Sequence, residues 1–234
     1  MKIPYFDDFV GLFYPQLCLA CGQNLPSDGS KTVICVSCEY HLPKTNFHRR
    51  AADNPFVTRF WGRLPLSAAG ALYHFGQGTR AQTLIHGLKY EGKREVGLLL
   101  GKMYGSDLTE SDQFRTIDSI VPVPLHPKRE KIRGYNQSDL FAEGLSETMG
   151  KPWWKDVLQR KKMADSQTRK GAAERLENVM TTFEATDIER LRGKHILLVD
   201  DVVTTGATLE ACALALLQVP DIQISMATIA FAGA

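Results

Sequence analysis

Little in this chain is extreme, and its absences narrow the function before any motif is read. Lys and Arg number 28 against 26 Asp and Glu, a formal net charge of +2, which excludes a strongly basic, histone-like surface. No apolar run approaches the roughly 18 residues that span a bilayer. The opening Met1-Lys-Ile-Pro-Tyr-Phe-Asp-Asp8 places acids where a signal peptide carries its apolar core. A cytoplasmic protein without a membrane span is expected, and its five cysteines read as thiols. At 234 residues, 44% hydrophobic and 23% charged, the composition is that of a globular protein. It has room for one large domain, or for a medium one with an appendage.

Four of the cysteines form two pairs, Cys18-Leu-Ala-Cys21 and Cys35-Val-Ser-Cys38. Each pair can turn two thiolates onto one ion, and two pairs complete a tetrahedron. Gly22 suits the tight turn after the second thiol, and Pro26 to Ser30 is turn chemistry with no core of its own. A closed four-thiolate site leaves no position for substrate, so the expected zinc is structural. Two disulfides or a redox pair compete with it; a cytosolic setting opposes the first, and a duplicated motif is unexplained by the second. Cys212 remains as an expected core thiol. Ahead of the pairs, Phe6, Phe9, Val10 and Phe13 share a helical face that is expected to pack on the rest of the chain, with a partner-binding helix as the alternative.

The most informative stretch lies near the C-terminus, from His195 to Leu209. Ile196 to Val199 is a short unbroken apolar run, the pattern of a strand covered on both faces in a parallel sheet. Asp200 and Asp201 come next at its carboxyl end, where open α/β sheets place their ligand crevice. Then come Thr204, Thr205, Gly206, Ala207 and Thr208, small and hydroxyl-rich, and a helix marked by Leu209, Ala213, Leu214 and Leu217. Strand, tight loop and helix N-terminus together make a phosphate site. Carboxylates beside a phosphate repel it, so they need another task. Holding vicinal ribose hydroxyls, directly or through a divalent cation, fits. A phosphate site beside a diol site describes a ribose 5-phosphate; a plain strand–helix crossover with two solvated acids is the bland alternative.

Elsewhere, Pro43, Asn54-Pro55 and Pro65 mark residues 43–67 as a linker. Strands are expected over Ala69–Phe75, Ile117–Val121, Val157–Arg160, Met180–Ala185 and Ile222–Ala230. Helices are expected from Arg80, over Val96–Met103, and through Leu140, Phe141 and Leu145. Pro122-Val-Pro-Leu-His126 makes a rigid loop after the second strand. Lys161 to Asn178 is charged and poor in large apolar residues, either a mobile loop or a solvated helix. Residues 126–175 hold 12 Lys and Arg against 7 Asp and Glu, a local excess of +5.

The run from Ile196 to Leu209 resembles the signature of type I phosphoribosyltransferases. With the double cysteine pair, Val121-Pro-Val-Pro124, His126 and Arg133-Gly-Tyr-Asn-Gln-Ser138, nearly the whole chain resembles the ComF/GntX family, phosphoribosyltransferase-like proteins associated with natural competence. The resemblance implies an open, mainly parallel α/β sheet over residues 68–234 and a small zinc module within residues 1–42. It implies phosphoribosyl pyrophosphate with Mg²⁺ as ligand of a possible phosphoribosyltransferase of unknown acceptor: Thr204 to Thr208 hold the phosphate, and Asp200 and Asp201 at the ribose with His126 and Arg133 at the pyrophosphate are the candidate catalytic residues. Lys89 becomes a candidate because a Leu-Lys-Tyr run recurs near the active site, and the loop after Lys161 is expected to close over the diphosphate. Lys170 departs from the family pattern, where an aliphatic residue is expected, and loosens any mapping of that loop. Met1-Lys2 opens directly towards the cysteine pairs, so the catalytic domain of glutamine-dependent amidophosphoribosyltransferases is not expected. The alternative on the same fold is a non-catalytic single-stranded-DNA-binding protein that works with other DNA-uptake proteins. In it Lys128, Arg129, Lys131 and Arg133 with Tyr135, together with Lys161, Lys162, Arg169 and Lys170, form the basic face.

Overall fold

The computed structural model describes residues 15–26, 33–161 and 182–233. The segment of Phe6 to Phe13, the turn from Ser27 to Ser30, and the loop from Lys162 to Asn178 lie outside the described residues. In chain order the elements are α1 (Val36–His41), a 3₁₀ turn (Phe47–Arg50), α2 (Pro55–Thr58), β1 (Leu66–His74), α3 (Arg80–Tyr90), α4 (Arg94–Thr109), α5 (Asp112–Arg115), β2 (Ser119–Pro122), α6 (Pro127–Arg133), α7 (Gln137–Met149), β3 (Leu158–Arg160), β4 (Phe183–Ala185), α8 (Ile188–Leu191), β5 (His195–Val203), α9 (Ala207–Leu216) and β6 (Gln223–Phe231).

Four strands form one parallel sheet in the order β1-β6-β5-β2. β5 lies inside it, and Ile196 to Val199 are fully buried because the sheet is covered on both faces. Leu197 and Val199 enter the apolar cluster beneath α3, α4 and α7, whereas Ile196 and Leu198 enter the one beneath α9. The strand is longer than its apolar run: β2 pairs with it only as far as Pro122 opposite Val199, and β5 then continues through both aspartates to Val203. Asp200 and Asp201 therefore stand on a rigid strand beyond the end of its neighbour. β3 and β4 form a separate antiparallel pair.

Two helices cross unusually closely on one face. A Cβ on Gly101 of α4 would lie 2.4 Å from the Phe141 carbonyl oxygen and 2.8 Å from Gly144 Cα of α7, so only glycine permits this approach. The crossing fixes α7, whose N-terminal residues reach the site.

Residues 43–67 are not a linker. Asn54 caps α2, its side chain accepting from the N–H groups of Phe56 and Val57, with Pro55 preset at the first helical position. Phe56 and Phe60 are fully buried in the cluster beneath α9, each contributing roughly 1.5–3 kcal/mol of apolar burial. The cysteine module is not separate either. Cys18, Leu25, Ile34, Cys38 and Leu42 join the same core cluster as Leu72 and Tyr73 of β1. Among the described residues no helix is long and apolar enough to cross a membrane.

Candidate functional site

A cavity of about 380 Å³ opens at the carboxyl end of β5. Lys89, His126, Arg133, Asp200, Asp201 and Thr208 all line it. A smaller adjoining hollow of about 50 Å³ is lined by Asp200 and by Val202 to Leu209. Asp200, Val202 and Thr208 belong to both. The fold thus gathers the carboxylates, the hydroxyl-rich loop and the basic residues of three distant segments around one opening.

Gly206 makes the loop geometry. Its φ of +85° is one that side-chain-bearing residues rarely adopt, and it stands as N-cap of α9. Thr205 Oγ1 accepts from the Ala207 N–H at 3.4 Å. Beneath the loop lies Phe60: a Cβ on Gly206 would come within 2.6 Å of its ring. The segment read as a linker is the floor of the proposed phosphate loop. Arg63 ties the same segment to α9 through Glu210, at 2.6 Å.

The two aspartates differ. Burial, then the neighbouring charge of Asp201, pushes the Asp200 carboxyl up to about 7, although it accepts from Ser138 Oγ at 2.9 Å and from the Asp201 N–H at 2.8 Å. Asp201 is paired with Lys89, Nζ to Oδ1 2.9 Å, and both side chains are largely enclosed.

Within Arg133-Gly-Tyr-Asn-Gln-Ser138, the residues from Tyr135 onward form a buried joint between elements. Arg133 donates to Gln137 Oε1 at 2.6 Å and lies over the Tyr90 ring at 5.3 Å. Gly134 ends α6 in the left-handed region. Asn136 donates to the Val123 carbonyl at 3.0 Å and to Asp139, whose carboxyl burial raises to about 6. Tyr135 is buried, its hydroxyl donating to the Leu88 carbonyl oxygen. It therefore offers no stacking face to a nucleic acid, contrary to expectation. The exposed aromatic beside Arg133 is Tyr90 of α3. His126 caps α6, its Nδ1 accepting from the Lys128 N–H at 3.2 Å. Lys128, Lys131 and Lys161 are exposed, whereas Lys162, Arg169 and Lys170 lie outside the described residues.

Sequence reasoning misses Arg160 as a site residue. It lines the cavity from the end of β3, with its guanidinium over Phe183 at 4.8 Å. Burial lowers its pKa, and its Nε is enclosed with no hydrogen-bond partner among the described residues. A cationic donor enclosed without a partner among the described residues is costly.

The four thiols of the paired cysteines face one another. A zinc–sulfur bond of about 2.3 Å makes a tetrahedral edge of about 3.8 Å; Cys21 and Cys35 Sγ are 3.8 Å apart, and all four sulfurs lie within 4.8 Å of one another. Gly22 is at φ +74° and its N–H donates to the Cys18 carbonyl, the turn expected after the second thiol. Burial works to raise the Cys18 thiol, but the N–H groups of Cys35, Ala20 and Cys21 bring it down to about 6. The four thiols are free of disulfides and could hold a metal such as zinc. Cys212 is fully buried in α9, as expected of a core thiol.

The model of the phosphoribosyl transferase domain matches residues 140–233. The DNA utilization protein YhgH of Escherichia coli (strain K12) is 32% identical over 205 residues, covering 86% of this chain and 84% of that protein. Competence protein F of Haemophilus influenzae is 35% identical over 104 residues, 44% of this chain and 45% of its own. Among solved structures, the glutamine phosphoribosylpyrophosphate amidotransferase of B. subtilis complexed with ADP and GMP matches 57% of this chain and 26% of its own, at 20% identity and a TM-score of 0.40.

Proposed function

The chain belongs to the ComF family of phosphoribosyltransferase-like proteins, and from that premise we propose that its cavity binds phosphoribosyl pyrophosphate with Mg²⁺. The observation that carries this reading is the convergence of Asp200, Asp201 and the 204–208 loop with Lys89, Arg129, Arg133 and Arg160 around one opening. The loop N–H groups and hydroxyls take the 5-phosphate. The carboxylates take the ribose diol, and the arginines take the pyrophosphate, for which their planar forks are suited. Oxygen-only donors at the aspartates fit a hard divalent cation, which when bound neutralises charge on the departing pyrophosphate. Arg133, held by Gln137, and Arg160, braced on Phe183, are set in place before the charge develops. The acceptor is open. Calorimetry with phosphoribosyl pyrophosphate and Mg²⁺, then pyrophosphate-release assays with candidate amines and bases, tests binding and turnover separately. Absence of binding by wild-type protein overturns the reading.

The cysteine cluster, on the same proposal, holds one structural zinc. The names of the relatives speak of DNA utilization and competence; a cytoplasmic setting and work alongside other DNA-uptake proteins belong to the same proposal. A second reading, a single-stranded-DNA-binding protein without turnover, is favoured by one observation: the exposed Tyr90 ring beside Arg133, itself a residue of the basic stretch 126–175. Phosphoribosyl pyrophosphate and DNA displacing each other would place both on this face.

A further inference from the structure

Lys89 Nζ sits 2.9 Å from Asp201 Oδ1, and the side chains are only 21% and 13% exposed. Such a pair is poorly screened, so it is a stronger contact than an exposed ion pair. Asp200 differs, since its Oδ1 already accepts from Ser138 and from the Asp201 N–H. Lys89 is thus the cation set against the two aspartates, and it occupies one of the two oxygens that Asp201 could offer a diol or divalent cation.

Resting on the cavity reading above, we infer that Lys89 is a tethered cation that yields Asp201 when an anion enters, making cation binding at the carboxylates conditional on anion binding beside them. Its backbone cannot take part, because the Tyr135 hydroxyl holds the Leu88 carbonyl and α3 is packed through Leu84, Ile85 and Leu88. The side chain can: a compact ammonium on a four-carbon stem changes partner by rotation alone. Lys89 lines the same cavity as Thr208 of the loop and as Arg129, Arg133 and Arg160, so a phosphate held at the loop or among the arginines also attracts the ammonium. Its departure leaves Asp201 unpaired beside Asp200, and a divalent cation restores the balance. Lys89 is a positioning residue in this scheme, acting through Asp201.

Mn²⁺ binding, monitored by the loss of the free-ion electron paramagnetic resonance signal, tests it without any turnover. Wild-type protein should bind Mn²⁺ weakly alone and more tightly with ribose 5-phosphate present. Lys89→Met and Lys89→Gln should each bind Mn²⁺ alone at least about tenfold more tightly, the scale of one lost charged contact, and the enhancement by ribose 5-phosphate should shrink. Lys89→Arg should restore it. If neither neutral variant gains Mn²⁺ affinity, the inference is overturned. Ribose 5-phosphate binding by the wild type is measured separately, and its failure would strike the cavity reading while leaving the Mn²⁺ comparison interpretable.

Discussion

Gly206→Ala is the sharpest perturbation the structure offers, because two independent penalties fall on one methyl group. Position 206 sits at φ +85°, where a residue with a side chain costs roughly 1–2 kcal/mol. The new Cβ would lie 2.6 Å from Phe60 Cζ and 2.9 Å from Cε1. Phe60 is fully buried beside Phe56, their ring centroids 6.0 Å apart, so it cannot move aside cheaply. Overpacking of that kind costs about 1–3 kcal/mol, which makes the expected destabilisation about 2–5 kcal/mol. Urea unfolding of wild type, Gly206→Ala, Phe60→Leu and the double variant measures it. Phe60→Leu alone leaves a hole and is destabilising, yet it should relieve the steric part of Gly206→Ala, giving a favourable coupling of about 1 kcal/mol or more. Ribose 5-phosphate affinity should fall with Gly206→Ala, since the 204–208 loop must shift. Stability within about 0.5 kcal/mol of wild type, or strict additivity in the double variant, would refute the claim that Phe60 supports the loop.

The same geometry sets other outcomes. Asp201→Asn should weaken ribose 5-phosphate binding by about 1.5–3 kcal/mol, the scale of charged hydrogen bonds, and an unchanged calorimetric titration would put the ribose elsewhere. Metal analysis should find one zinc per chain, and Cys35→Ser should lose it and lower the unfolding midpoint of the whole protein, because Cys18 and Cys38 share their cluster with β1. Burial lowers the pKa of His195, held between Thr116 Oγ1 and Ser225 Oγ at 2.9 Å each. The unfolded chain therefore takes up a proton there that the folded one refuses, and this contribution is lost as pH falls through the ordinary histidine range. Asp200 and Asp139, both raised, act in the opposite direction, so the test is a smaller stability loss between pH 7.5 and 5.5 in His195→Gln than in wild type. Single-stranded DNA should bind weakly and fall off steeply with salt, with Tyr90→Ala reducing it and Tyr135→Phe not doing so; anisotropy flat at about 50 mM salt would leave the basic face to small anions.

The parts of the fold that are legible in the sequence are those whose physics is local. An unbroken apolar run between polar flanks predicts β5, and paired cysteines with a glycine after them predict the thiol cluster. Residues 43–67 mislead because Asn54-Pro55 reads as a break. The same dipeptide is a helix start, an Asn cap with proline at the first position, and Phe56, Val57 and Phe60 already carry helical spacing. The helix α6 escapes notice for a different reason. Its seven residues bury no side chain, so no periodicity exists to read, and it is defined only by its caps, His126 and Gly134. Arg160 has no local signal at all. It becomes a site residue because β3 ends at the cavity, which is a fact of tertiary closure.

Arg133 to Ser138 shows why a motif can be recognised long before its role can be assigned. Read as sequence, its arginine looks chemical and its tyrosine looks like a platform. In the fold, Tyr135 reaches α3 at Leu88, one residue before Lys89; Asn136 reaches the loop after β2 at Val123; and Ser138 reaches β5 at Asp200. Three elements that carry site residues are thus fixed to one another by neighbouring side chains that are themselves buried. Buried polar groups of this kind are costly unless every one is satisfied, and a satisfied set permits one arrangement and few others. The motif's chemistry is mainly that of a clamp: it joins the element of Lys89 to the strand of the two aspartates, and with them the charge balance on which the proposed ligand binding turns.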